Sequence, residues 1–236
     1  MDLTALKPLA PVDPDGLAKA LLPFGTSTML PAEAYTSPDV LAWERRNLVA
    51  GSWACVGRVD ELRSAGPDGG TATQRALLVG DIPVLLTFEG DVVRAFANTC
   101  RHRGHVLLED DCTSTSRSVL CVYHAWTFRL DGSLQGAPGF RDNEHFSAEE
   151  HGLVPLPAHE WHGWLFVNAT GTAPSFEEHL GVLDSLVAPY RPEALVLRAR
   201  HTYEIAANWK LVSENYHECY HCPLIHPELC QVSVPT

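Results

Sequence analysis

NTCRHRGHVLL, residues 98–108, and CVYHAWTF, residues 121–128, decide how this chain is read. Each stretch offers one cysteine followed closely by one histidine. One residue separates Cys100 from His102, two separate Cys121 from His124, and eighteen lie between the two pairs. Strand-like runs lead into both, Val92 to Ala97 before the first and Val119 to Val122 through the second. The first stretch also carries Arg101, Arg103 and Gly104, which suit a turn whose backbone amides and charges face bound sulfur, where hydrogen bonds and positive charge raise a reduction potential.

Two loops that each supply one thiolate and one imidazole suit a 2Fe–2S centre in which two sulfurs hold one iron and two nitrogens hold the other. A single zinc ion is the competing occupant, and it predicts a colourless protein. Zinc sites space their cysteine pair by two to four residues, and ligands one residue apart strain a single tetrahedral ion, so the spacing favours the cluster. His105 and Cys112 lie close by in sequence and are read as a polar loop residue and a plain thiol.

The chain around these loops has 236 residues, 45% hydrophobic and 19% charged, with a net charge of -12. That length suits one large domain or two small ones with a real core. The charge repels a phosphate backbone and no basic stripe offsets it, so nucleic acid is not an expected partner. The opening MDLTALKPLAPVDPDG has neither a basic n-region nor an apolar h-region, and no segment approaches the span of a bilayer. A cytoplasmic protein without a membrane partner is expected. Seven cysteines, an odd number without an export signal, argue for metal ligation over disulfides.

An arm comes first, short of periodicity apart from a helix-like piece at Asp15 to Leu22. Short apolar runs then follow one another: Trp53 to Val59, Arg75 to Val79, Val84 to Phe88, Val92 to Ala97, Val119 to Val122, Trp126 to Leu130 and Gly163 to Asn168. GPDGG (66–70), EGD (89–91) and DGS (131–133) mark hairpin turns between them, which predicts an antiparallel β domain. Beyond it the pattern predicts a helix from Phe176 to Val187, a long strand from Leu195 to Ala207, and a helix from Asn208 to Cys222 halted by Pro223. The fold class is α+β. The expected boundaries are an arm at 1–45, the β domain at 46–172, and a second domain beginning at 173 and running to 236.

NWKLVSENYHECYHCPLIHPEL, residues 208–229, carries the second constellation. On a continuous helix Glu214, Glu218 and His221 share a face. With Pro223 interrupting that helix, a loop can return His226 beside His221, and two imidazoles with one carboxylate suit a facial triad for Fe(II) that leaves positions open for dioxygen. Other readings are plainer. Cys219 and Cys222 match half of a zinc pattern and are expected as a reduced pair, Asn208 as a helix cap, Trp209 as core, and Glu214 as a solvated or supporting residue.

Taken together, NTCRHRGHVLL and CVYHAWTF, with RRNLVAGSWACVGRV upstream and LDGSL downstream, resemble the Rieske domain of the large α subunits of the non-haem iron oxygenases, a likeness running from about Pro31 to the end of the chain. The resemblance implies that Cys100, His102, Cys121 and His124 hold a Rieske-type 2Fe–2S cluster. It implies that His221 and His226 ligate a mononuclear Fe(II) in a catalytic domain of helix-grip architecture, of which this chain holds only the first part. Glu218 takes the place of the carboxylate that links the two metal centres, and glutamate there resembles the choline, carnitine and betaine monooxygenases.

The same resemblance implies a reductase or ferredoxin as electron donor, dioxygen and a small organic compound as substrates, and hydroxylation, dihydroxylation or demethylation as the reaction. It also implies a ring assembly, usually a trimer, in which one subunit's cluster serves the next subunit's iron. The family's carboxylate ligand to that iron comes late in the catalytic domain, whereas Glu228 is the one acidic residue after His226. A second chain or a further C-terminal part is therefore expected to complete the site. A non-catalytic Rieske electron-transfer protein is the alternative.

Overall fold

The computed structural model describes residues 9–65, 70–140 and 143–232. It is an α+β structure that divides into two compact units, Glu44–Val196 and the pairing of Met1–Trp43 with Leu197–Thr236. No helix among the described residues is long and apolar enough to cross a membrane. The turn expected at 66–70 lies outside the described residues except for Gly70.

The larger unit is built from three antiparallel sheets. Its strands are β1 (Ala54–Arg58), β2 (Gln74–Val79), β3 (Ile82–Glu89), β4 (Val92–Ala97), β5 (Thr113–Ser114), β6 (Ser118–Leu120), β7 (Thr127–Arg129), β8 (Leu134–Gly136), β9 (Pro155–Leu156), β10 (Ala158–Trp161) and β11 (Trp164–Val167). The orders are β5-β2-β3-β4-β9, β1-β11-β10 and β6-β7-β8. The turns at 89–91 and 131–133 form as their residues predict. Gly90 takes φ +56 between β3 and β4, and Asp131 Oδ1 accepts from Ser133 N at 2.9 Å between β7 and β8. Gly132, at φ +86, packs so close to Phe96 that a Cβ would sit 2.4 Å from its ring.

Two apolar clusters fill this unit. One, including Val84, Leu86, Phe88, Leu165 and Val167, lies between the five-stranded sheet and β1-β11-β10. The other gathers Leu85, Phe96, Val119, Trp126 and Phe128 and takes in both Cys100 and Cys121. Buried Thr87 donates from Oγ1 to Leu130 O at 2.7 Å, fastening the small sheet to the large one.

The helix expected at 176–187 is two helices, Phe176–Leu180 and Leu183–Val187. Ser175 and Glu178 form a capping box at the start, and Gly181 at φ +53 ends the first piece. Leu183 and Leu186 are exposed rather than buried along a shared face. The strand expected at 195–207 does not form, since alternation makes a strand only where a neighbour pairs with it and none does among the described residues. Leu195, Leu197, Tyr203 and Ile205 stand exposed along it.

In the smaller unit the arm contributes the helices Pro14–Ala20 and Glu33–Thr36 and all but the last residue of the helix Pro38–Glu44. Asp13 caps the first by accepting from Gly16 N at 3.0 Å, and its own N donates to Glu33 Oε1 at 3.2 Å. The last 40 residues contribute the helices Trp209–His217 and Cys222–Ile225.

Candidate metal centres

Cys100 follows the end of β4 and Cys121 follows β6, so both sulfur-bearing loops are hairpin or strand-end tips on one core. The loops share a backbone path. Cys100 N donates to His105 O at 2.8 Å and accepts, through its carbonyl, from Gly104 N at 3.0 Å; Cys121 N donates to Trp126 O at 2.8 Å and its carbonyl accepts from Ala125 N at 2.9 Å. The fifth residue of each turn is left-handed, Gly104 at φ +72 and Ala125 at φ +57.

Asn98 closes the first loop at its base, a role its sequence context does not announce. Buried between the loop's ends, its Nδ2 donates to Leu108 O at 2.6 Å and its Oδ1 accepts from Leu108 N at 3.1 Å. Alanine at 98 strands both backbone groups of Leu108. We expect Asn98→Ala to lower unfolding stability by about 2 kcal/mol and to loosen cluster retention, read by denaturant unfolding and by iron content.

Both thiols are 2% exposed. Burial pushes the Cys100 thiol up, opposed by the backbone amides of His102 and Arg103 that reach its sulfur, while a hydrogen bond with Cys121 adds to the rise. The amides of this turn therefore face sulfur. The two imidazoles meet edge to face, ring centroids 4.7 Å apart at 74°. His102 lies flat on the buried indole of Trp126, 4.9 Å away at 7°, whereas His124 is exposed. Desolvation, then His124 and Arg103, hold His102 below the usual imidazole range.

Two buried sulfurs, one half-buried imidazole and one exposed imidazole form two Cys/His pairs, one on each loop. This donor set fits a two-metal group better than a single ion. Trp126 Nε1 is buried beside it without a protein partner. Cys112 is a free, exposed thiol, and His105 meets Tyr123 edge on at 5.6 Å.

The second constellation departs from the continuous helix that its spacing predicts. Asn208 does cap it, accepting from Lys210 N at 3.1 Å, but the helix stops at His217 and Glu218 is extended at φ -119, ψ 152. The cause is local competition. The Glu218 carboxylate accepts from Tyr220 N and holds His221 Nδ1, turning the chain before Pro223 is reached. Pro223 then sits in the first turn of the next helix, where its missing N–H is harmless. Glu214, Glu218 and His221 therefore do not share a helical face.

His221 and His226 nonetheless lie together, centroids 5.4 Å apart at 76°, on a cleft of about 770 Å³ that Glu218, Tyr216 and Tyr220 also line. The hydrogen bond to His221, followed by that from Tyr220 N, holds Glu218 below the usual carboxylate range. Cys219 and Cys222, expected as free thiols, are joined as a disulfide across the turn, Cα to Cα 5.0 Å. Trp209, expected in the core, is half exposed.

Comparison with known proteins gives two family matches. Residues 52–147 match the Rieske [2Fe-2S] domain, and residues 192–236 match the ring hydroxylating alpha subunit (catalytic domain). The carnitine monooxygenase oxygenase subunit of Escherichia coli K12 is 38% identical over 200 residues, covering 84% of this chain and 52% of the relative. The glycine betaine monooxygenase oxygenase subunit of Chromohalobacter salexigens is 37% identical over 205 residues, covering 85% of this chain and 43% of the relative. A crystal structure of the quaternary ammonium Rieske monooxygenase CntA with L-carnitine superposes with a TM-score of 0.68 at 34% identity, covering 86% of this chain and 56% of that one. The chain thus spans about half the length of the curated relatives it matches.

Proposed function

Because this chain belongs to the α subunits of the Rieske non-haem iron oxygenases, of which it carries the Rieske domain and the opening of the catalytic domain, we propose that it serves as the oxygenase component acting on a small quaternary ammonium compound. On this reading 1–45 is an arm, 46–172 the Rieske domain and 173–236 the start of the catalytic domain. The observation that carries the proposal is the pairing of two buried thiols with two contacting imidazoles at adjoining loop tips.

Cys100, Cys121, His102 and His124 would hold the 2Fe–2S cluster, and His221 with His226 would hold Fe(II). Bound there, the cluster supplies single electrons from a reductase or ferredoxin and the mononuclear iron supplies the O2 chemistry for oxidising a substrate C–H bond. The residues prepare for this in distinct ways. The buried cysteines keep water from the sulfur side, while exposed His124 presents the nitrogen side. Glu218 fixes the His221 ring through Nδ1, leaving Nε2 as the nitrogen for a metal.

The exposed faces of Tyr216 and Tyr220 on the cleft, and the net charge of -12, favour a cationic substrate. Sequence corresponding to the remainder of the relatives, on this polypeptide or another, would add the third iron ligand and the rest of the pocket. A homotrimer, or a hetero-oligomer with a completing chain, would bring one subunit's cluster to another's iron.

Iron content and spectrum test the proposal against an electron carrier and a zinc protein. The loaded oxygenase is expected to hold about three irons per chain and to show, after reduction, the EPR signature of a mixed sulfur and nitrogen cluster. About two irons per chain would leave only the carrier, and a colourless protein would remove both.

A further inference from the structure

We infer that Tyr35 is a positioning residue for the His221–His226 pair, and that the arm acts as a latch on the helix that delivers it. The inference rests on the reading of that pair as the iron site. Tyr35 sits in the short helix Glu33–Thr36 and reaches across 179 residues of sequence to donate its hydroxyl to Glu214 Oε1 at 2.7 Å. Its carbonyl accepts from Asn208 Nδ2 at 3.1 Å, and the same asparagine caps Trp209–His217 through its other amide atom. Lys210 places Nζ 5.9 Å from the centre of the Tyr35 ring. A single residue of the arm thus touches the cap, the first turn and the middle of the helix.

That grip bears on a short helix. It spans nine residues, short enough to be marginal alone, and Lys210 is its one buried residue. Glu218 follows directly on its last turn, with His221 three residues later, so any shift or rotation of the helix is carried into both. Burial and Glu214 push the Tyr35 phenol up to about 12, so it remains a proton donor throughout the working range of an enzyme.

The test is anaerobic equilibrium dialysis of the full-length, cluster-loaded subunit against ferrous iron, counting iron bound beyond the cluster. Tyr35→Phe and Glu214→Leu are each expected to weaken this binding about fivefold, the worth of one hydrogen bond. The double variant should be no weaker than either single one, because both remove the same contact. Glu214→Gln keeps an acceptor oxygen and should bind like the parent, and the reduced-cluster EPR spectrum should be unchanged in every variant.

Parental iron affinity in both Tyr35→Phe and Glu214→Leu, or multiplicative losses in the double variant, would overturn the latch. His221→Ala separates this from failure of the underlying assignment. If His221→Ala abolishes the extra iron while Tyr35→Phe does nothing, only the latch falls; if His221→Ala keeps it, the iron site itself is misplaced.

Discussion

Cys121→Ser is expected to purify without the brown colour or the reduced-state EPR signal of the parent, its cluster iron at background. The change removes one of two buried, hydrogen-bonded thiols, and a hydroxyl is a poor substitute for thiolate on ferric iron. It also places an oxygen within an apolar cluster that contains Val119, Trp126 and Phe128. Cys112→Ser is the matched control. That thiol is exposed and free, so its spectra should equal the parent's. Parental visible and EPR spectra in Cys121→Ser would dismiss the cluster assignment.

The second large effect is expected at Glu218. Glu218→Gln should leave cluster reduction at its parental rate while O2-coupled product formation falls by about 10- to 100-fold, the usual loss when a partner of a metal-ligating histidine is removed. The ionised carboxylate accepts on both oxygens, from Tyr220 N on one and His221 Nδ1 on the other. Glutamine can accept on one oxygen only and turns an NH2 toward the second site. Stopped-flow reduction and product assays read the two steps separately. Unchanged coupled turnover would show that Glu218 does not act between the centres.

Much of this was legible in the residues themselves. The runs at 75–79, 84–88 and 92–97 are long enough for strand composition to register, and their turns carry the Gly and Asp that hairpins need. The first Cys/His pair lies just beyond the last of those strands, and the second lies just beyond β6. By contrast β5 and β9 span two residues each, too few for any periodicity to show. The strand expected at 195–207 and the long helix expected at 208–222 failed for opposite reasons: one had the pattern but no pairing neighbour, the other had the pattern but a carboxylate that turned its own backbone away.

Contacts between distant positions left no local trace at all. Asn98 is one polar residue beside a loop until Leu108 folds back onto it, and the stacking of Trp126 on His102 requires the two loops to meet first. The partnership of Tyr35 with Glu214 is hidden for the same reason. The disulfide between Cys219 and Cys222 runs against the compartment expectation, because a turn of this size readily brings such a spacing within bonding reach.

The two cysteine turns follow one path, yet His102 is the third residue of its turn and His124 the fourth of its own. On matched fingers, a one-step offset swings the second ring to another azimuth, and the rings approach crosswise instead of lying parallel. Moving the histidine by one position on a turn of unchanged length thereby converts a duplicated hairpin tip into a left and a right jaw.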